Sequence, residues 1–158
     1  MWRKNILRDL RCIMEIKRRS IKEFREAAKK TRDRRWAKNF DMLASYEYNR
    51  LESVELAYEN LVENNDWLVL RDLFDEGPKP MEIGTLKREV KQGKDSPDHE
   101  TLKSTLEQGK KMVSLYEDII SDYEHSFKKG IPLMKWLKDQ AQEYVDLLEY
   151  LKKGLKAE

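Results

Sequence analysis

Glu47 and Arg50 stand three residues apart in the middle of an otherwise apolar helical face, in the stretch DRRWAKNFDMLASYEYNRLESVELAYENLVEN at residues 33 to 64. Trp36, Phe40, Leu43, Leu51, Val54, Ala57 and Leu61 recur there every three or four residues and define the face. A carboxylate and a guanidinium on a core-facing stripe imply a buried pair, because an unpaired charge in an apolar interior is too costly. Lys17 falls on the equivalent stripe of the preceding helix, Gln140 interrupts that of the last helix, and Gly109 leaves a gap in that of the third. Other reactive residue types lack partners. Asp122 and His125 have i, i+3 spacing but flank the stripe carrying Tyr123 and Phe127, which makes them surface residues. Cys12 sits beside Arg11 without a histidine to activate it and reads as an inert thiol. Tyr46, Tyr48, Tyr58, Tyr116, Tyr123, Tyr144 and Tyr150 would suit radical or electron-transfer chemistry beside a metal centre; without metal they are core and interface aromatics. No glycine-rich phosphate loop, zinc-ligand spacing or Ser-His-Asp set appears.

The elements that must position these residues follow from periodicity. A first helix from about Lys4 to Lys30 carries Ile6, Leu10, Ile13, Ile21, Phe24 and Ala28 inward. Thr31 to Asp33 make a short connection in which Asp33 or Thr31 caps the next helix, so the first two helices form an antiparallel hairpin over residues 4–64. Residues 65–98 form a connection with a short helix at Trp67 to Phe74, closed by Gly77 and Pro78. Ser96 and Pro97 open a third helix that runs to about Lys128 on Leu102, Leu106, Met112, Val113, Tyr116, Ile120, Tyr123 and Phe127. Gly130 ends it, and Pro132 opens a fourth with Leu133, Leu137, Tyr144, Leu148, Leu151 and Leu155, completing a second hairpin over 99–155. The second and third helices are each about 40 Å long, so the connection must run the length of the bundle and set them parallel. The expected fold is an all-α four-helix bundle with one long crossover between helices two and three. Two hairpins exchanged between subunits would bury the same seam.

Length and composition bound the rest. At 158 residues the chain fits one domain, residues 1–158, with room for a core. Charged residues at 39%, beside few Gly and Pro, favour a helical protein over a β-sandwich. One cysteine excludes an internal disulfide, and the N-terminus MWRKNILRDLRC lacks the apolar run of a signal peptide, so the expected location is the cytoplasm. No apolar stretch approaches the roughly 20 residues of a membrane span. Residues 1 to 40 hold fifteen Lys or Arg against five Asp or Glu, and residues 41 to 76 hold two against ten. A basic helix can attract nucleic acid. Antiparallel packing of the two segments neutralises the charge instead, which weighs against a nucleic-acid partner.

In order and spacing, SIKEFREAAKK, FDMLASYEYNRLESV, NNDWLVLRDLF, LEQGKKMVSLYEDI and WLKDQAQEYVDLLEYL cover nearly the whole chain. Together they resemble the rubrerythrin-like branch of the ferritin-like superfamily. That resemblance implies a di-iron site held by a Glu from each of helices one and three and a Glu-x-x-His from each of helices two and four. Carried over, the first-helix Glu falls on Lys17, the second-helix pair on Glu47 and Arg50, the third-helix Glu on Gly109, and the fourth-helix pair on Gln140 and Glu143. Reading the last pair as Glu143 and Asp146 keeps one more carboxylate but places Gln140 and Asp139 where the family has apolar residues. The histidines are missing, since the chain has only His99 and His125. The resemblance with these replacements implies a degenerate, metal-free bundle without a cofactor, acting as a structural or protein-interaction module and self-associating, with a dimer as the first expectation. The alternative is a rubrerythrin-like oxidoreductase or peroxidase holding two iron ions through shifted carboxylates such as Glu15, Glu47, Asp139 and Glu143. Within the first reading, Lys17 and Arg50 take the place of the metals and lie within hydrogen-bonding reach of Glu47 or Glu143; alternatively Lys17 snorkels to solvent.

Overall fold

The computed structural model describes residues 2–64, 99–125, 128 and 130–156. Four α-helices make up these residues and no strand occurs among them: α1 (Trp2–Lys30), α2 (Arg34–Asn64), α3 (His99–Tyr123) and α4 (Ile131–Lys156). The expected connector helix at Trp67 to Phe74, the Ser96 and Pro97 start, Phe127 and the side chain of Leu155 lie outside the described residues.

α1 and α2 turn back on each other through residues 31–33. Arg34 and Arg35 in the first turn of α2 oppose its dipole, and no acid stands there to help. Asp33 supplies the compensation as the cap. Its Oδ1 accepts from the Arg35 amide at 2.9 Å and the Trp36 amide at 3.5 Å, while its own amide donates to Thr31 Oγ1 at 3.3 Å. Directly behind the cap, Trp36 and Phe40 pack at 5.5 Å between ring centroids, and Phe40 stacks on Phe24 of α1 at 6.2 Å. All three rings are fully buried, each contributing about 1.5–3 kcal/mol or more by removal from water.

α1 packs on both α2 and α3, and α3 packs on α4. Between α1 and α3 the contacts run in opposite register: Ser20 Oγ donates to Gln108 Oε1 at 3.1 Å, and Ser104 Oγ donates to Glu23 Oε1 at 3.4 Å. Between α3 and α4, Lys110 pairs with Glu149 at 3.3 Å and Glu117 with Lys138 at 3.8 Å, again antiparallel. Every expected stripe residue of α2 is buried. α3 differs from expectation in two places. It ends at Tyr123 rather than near Lys128: Asp118 and Asp122 crowd its C-terminal turns and no cation stands in the last one, the opposite of what the helix dipole favours. Its inward isoleucine is Ile119, fully buried, with Ile120 half-buried beside it. In α1 the same one-residue rotation buries Ala27 more deeply than Ala28.

Candidate functional site

The four helices converge on one buried polar centre. α1 contributes Lys17 and α2 contributes Glu47, both fully inside at 3% and 0% exposure. The Lys17 ammonium donates to Glu47 Oε1 at 3.3 Å, across a sequence separation of 30 residues. Snorkelling is therefore excluded, because the amine ends in the core. Burial pushes the Glu47 carboxyl above the ordinary carboxylate value, and Lys17 and then Arg50 pull it back only in part. Its second oxygen, Oε2, has no hydrogen-bond partner.

Arg50 is buried as expected but does not bond to Glu47. Its guanidinium lies over the Tyr46 ring, 4.4 Å from the centroid, and donates to the Tyr46 hydroxyl at 3.1 Å. Four residues of separation place the two side chains on adjacent turns. The Tyr46 ring stacks in turn on Tyr144 of α4 at 5.9 Å, which ties α2 to α4 across the bundle. Tyr144 and Tyr116 are both fully buried, and their hydroxyls are pushed up first by burial and then by the Glu47 charge. The Tyr144 hydroxyl lies beside Ser20 without a hydrogen bond of full geometry.

At Gly109 the absence of a side chain has a packing reason. A Cβ there would meet Val145 Cγ2 at 3.0 Å and the Tyr144 ring at 3.5 Å, so α4 has closed onto α3 at this level. Gln140 is half-buried with Oε1 unpaired, and Glu143 is exposed. Of the six positions at which the resemblance expects ligands, the structure brings Lys17 and Glu47 into direct contact. Arg50 is near enough to influence the Glu47 charge, and Glu143 remains at the surface. The shifted carboxylates do not gather: Glu15, Asp139 and Glu143 are all exposed while Glu47 is buried. Among the described residues no group of three His, Cys, Asp or Glu could hold a metal ion. Among the described residues the core offers one buried carboxylate, Glu47, with two cations and a closed glycine cradle, a set that does not fit two iron ions. Asp122 and His125 are exposed, and Cys12 is a half-buried free thiol.

A polar ladder beside this centre was not anticipated from the sequence. Gln108 donates to Glu23 Oε1 at 3.3 Å and accepts from Ser20 at 3.1 Å, so Ser20, Glu23, Ser104 and Gln108 zip α1 to α3. The available signal was that Lys17, Ser20 and Glu23 recur at three-residue spacing along α1. No protein-family model, no curated protein and no solved structure matches the chain. Among the described residues, no helix is long and apolar enough to cross a membrane.

Proposed function

We propose that the chain is a degenerate, metal-free ferritin-like bundle of the rubrerythrin-like branch, acting as a structural or protein-interaction module that self-associates in a reducing, cytoplasmic setting. The observation that carries this reading is the Lys17 to Glu47 contact at 3.3 Å. At the position where the resemblance expects a first-helix carboxylate, the chain supplies an ammonium, and that ammonium neutralises the one retained buried carboxylate. A ring of carboxylates needs cations to relieve its repulsion; here the side chains provide them. Closure of α4 onto Gly109 supports the same reading, since the third-helix ligand position has no room for a carboxylate.

The ferritin-like crossover is part of the proposal. α1 is antiparallel to α2 through their short turn and antiparallel to α3 by the Ser20–Gln108 and Glu23–Ser104 contacts, which supports a parallel α2 and α3. Spin labels at Glu63 and Glu100 then lie near opposite ends of the bundle, about 40 Å apart for helices of this length; a short distance would reject the topology. The functional reading is tested by metal analysis of protein purified without chelator, followed by anaerobic ferrous titration. The expected result is substoichiometric metal before and after loading. Stoichiometric iron or manganese would overturn it and restore the oxidoreductase alternative.

A further inference from the structure

The outward face of α2 carries a pattern that the core does not use. Tyr48 and Val62 are the exposed large hydrophobic side chains among the described residues, at 46% and 43%. Glu55 lies midway between them, so the three occupy one face at heptad spacing. Glu52, Glu59 and Glu63 accompany them, and residues 52 to 63 contain no Lys or Arg. Beside Tyr48 the sign reverses. Arg18, Lys22, Arg25 and Lys29 climb one edge of α1 and, with Tyr48, border an open groove of about 440 Å³ floored by Ile21 and Leu51. Glu26 offsets one of these charges. Arg18 is engaged with Glu55 at 3.4 Å, whereas Lys22, Arg25 and Lys29 have no ion pair among the described residues.

We infer that this face pairs with the same face of a second copy of the chain, the two α2 helices running antiparallel about a two-fold axis near Glu55. In such an isologous contact Tyr48 meets Val62 of the second copy at both ends. The acidic half of each α2 then lies along the other copy's basic groove, with Glu59 and Glu63 of one opposite Lys22, Arg25 and Lys29 of the other. The two Glu55 carboxylates approach at the axis, and Arg18 already neutralises each of them. A polyanion such as nucleic acid suits this face less well, because it would meet four glutamates immediately beyond Tyr48. The inference names the surface of the self-association proposed above and rests on that reading. The two fail separately: a dimer that neither recovers on mixing the reversed chains nor crosslinks through Tyr48→Cys and Val62→Cys overturns this surface and leaves self-association standing, and metal content is measured on either form.

Sedimentation of the full chain across the micromolar range is expected to give a dimer. Lys22→Glu with Arg25→Glu, or Glu59→Lys with Glu63→Lys, should each weaken dimerisation by at least about tenfold through like-charge contacts. An equal mixture of the two reversed chains should restore it, because both ends of a mixed dimer again join opposite charges. A second arm holds even if a reversed chain fails to fold. In a Cys12→Ser background, Tyr48→Cys with Val62→Cys places two thiols about 21 Å apart within one chain, so only a second copy can bring them to disulfide distance, and oxidation should give a covalent dimer. A monomeric wild-type chain, no recovery on mixing folded reversed chains, or no crosslink would overturn the proposal. So would a monomeric wild-type chain whose binding to a poly-dT oligonucleotide is abolished by Lys22→Glu with Arg25→Glu, an outcome that would assign the groove to a polyanion.

Discussion

Separating Lys17 from Glu47 is the most direct perturbation of the buried centre. At the 3.3 Å observed between Nζ and Oε1, with an effective dielectric of about 20, the attraction is about 5 kcal/mol. Desolvating each ion costs several kcal/mol, so the net contribution of the pair is small while the penalty for breaking it is large. Lys17→Met leaves Glu47 buried without its counter-ion, and Glu47→Leu does the same to Lys17; each is expected to cost about 3–5 kcal/mol. The combined variant removes both charges and keeps much of the volume, so it is expected to lie near wild type or to exceed it by up to about 4 kcal/mol. Urea unfolding followed by tryptophan fluorescence measures all four corners of the cycle, with the m-value as a check that the folded and unfolded states are comparable. A coupling energy below about 0.5 kcal/mol, the ordinary scatter of independent sites, would refute the pairing.

Three further outcomes follow from neighbouring geometry. The Glu47 carboxyl is held above its ordinary 4.5, so the folded chain binds this proton more tightly than the unfolded chain; the stability it contributes is full below pH 4.5 and is lost as pH rises through the folded value. Lys17→Met removes the stronger of the two opposing cations, so its melting temperature should fall as pH rises from 4.5 toward neutrality, and adding Glu47→Gln should flatten the profile; a flat profile in Lys17→Met alone would contradict the burial argument. Asp33→Ala should cost about 1 kcal/mol by thermal unfolding and Asp33→Asn less, because the amide oxygen still caps α2; equal losses would show that the cap does not depend on that acceptor. Gly109→Ala gains about 1 kcal/mol of helix propensity but drives a methyl to 3.0 Å from Val145, at about 1–3 kcal/mol for overpacking, so the net effect should lie between neutral and mildly destabilising; a stabilised variant would mean that α4 does not approach there.

The helices and their inward faces were legible because burial follows the 3.6-residue period: Trp36, Phe40, Leu43, Leu51, Val54, Ala57 and Leu61 are all inside. Lys17 and Glu47 were legible as members of a polar centre for the same reason, since each interrupts an apolar stripe. What periodicity does not carry is registry between helices. Spacing within α2 suggested that Arg50 would serve Glu47, but a planar guanidinium finds a better site over the ring of Tyr46 one turn earlier, and the ammonium arrives from α1 instead. Ile120 was expected inward and Ile119 is the fully buried one for a similar reason: adjacent residues differ by only a small rotation of α3 against its neighbours. The centre in turn constrains that registry. If α1 slipped by one turn along α2, Lys17 would stand beside Leu43 or Leu51 in place of Glu47, leaving two buried charges unpaired, and Arg18 would lose Glu55 in the same movement. A pair whose net energy is near zero in the correct register thus costs several kcal/mol in the neighbouring ones. The apolar stripe alone cannot make that distinction, because leucine packs acceptably against leucine one turn away.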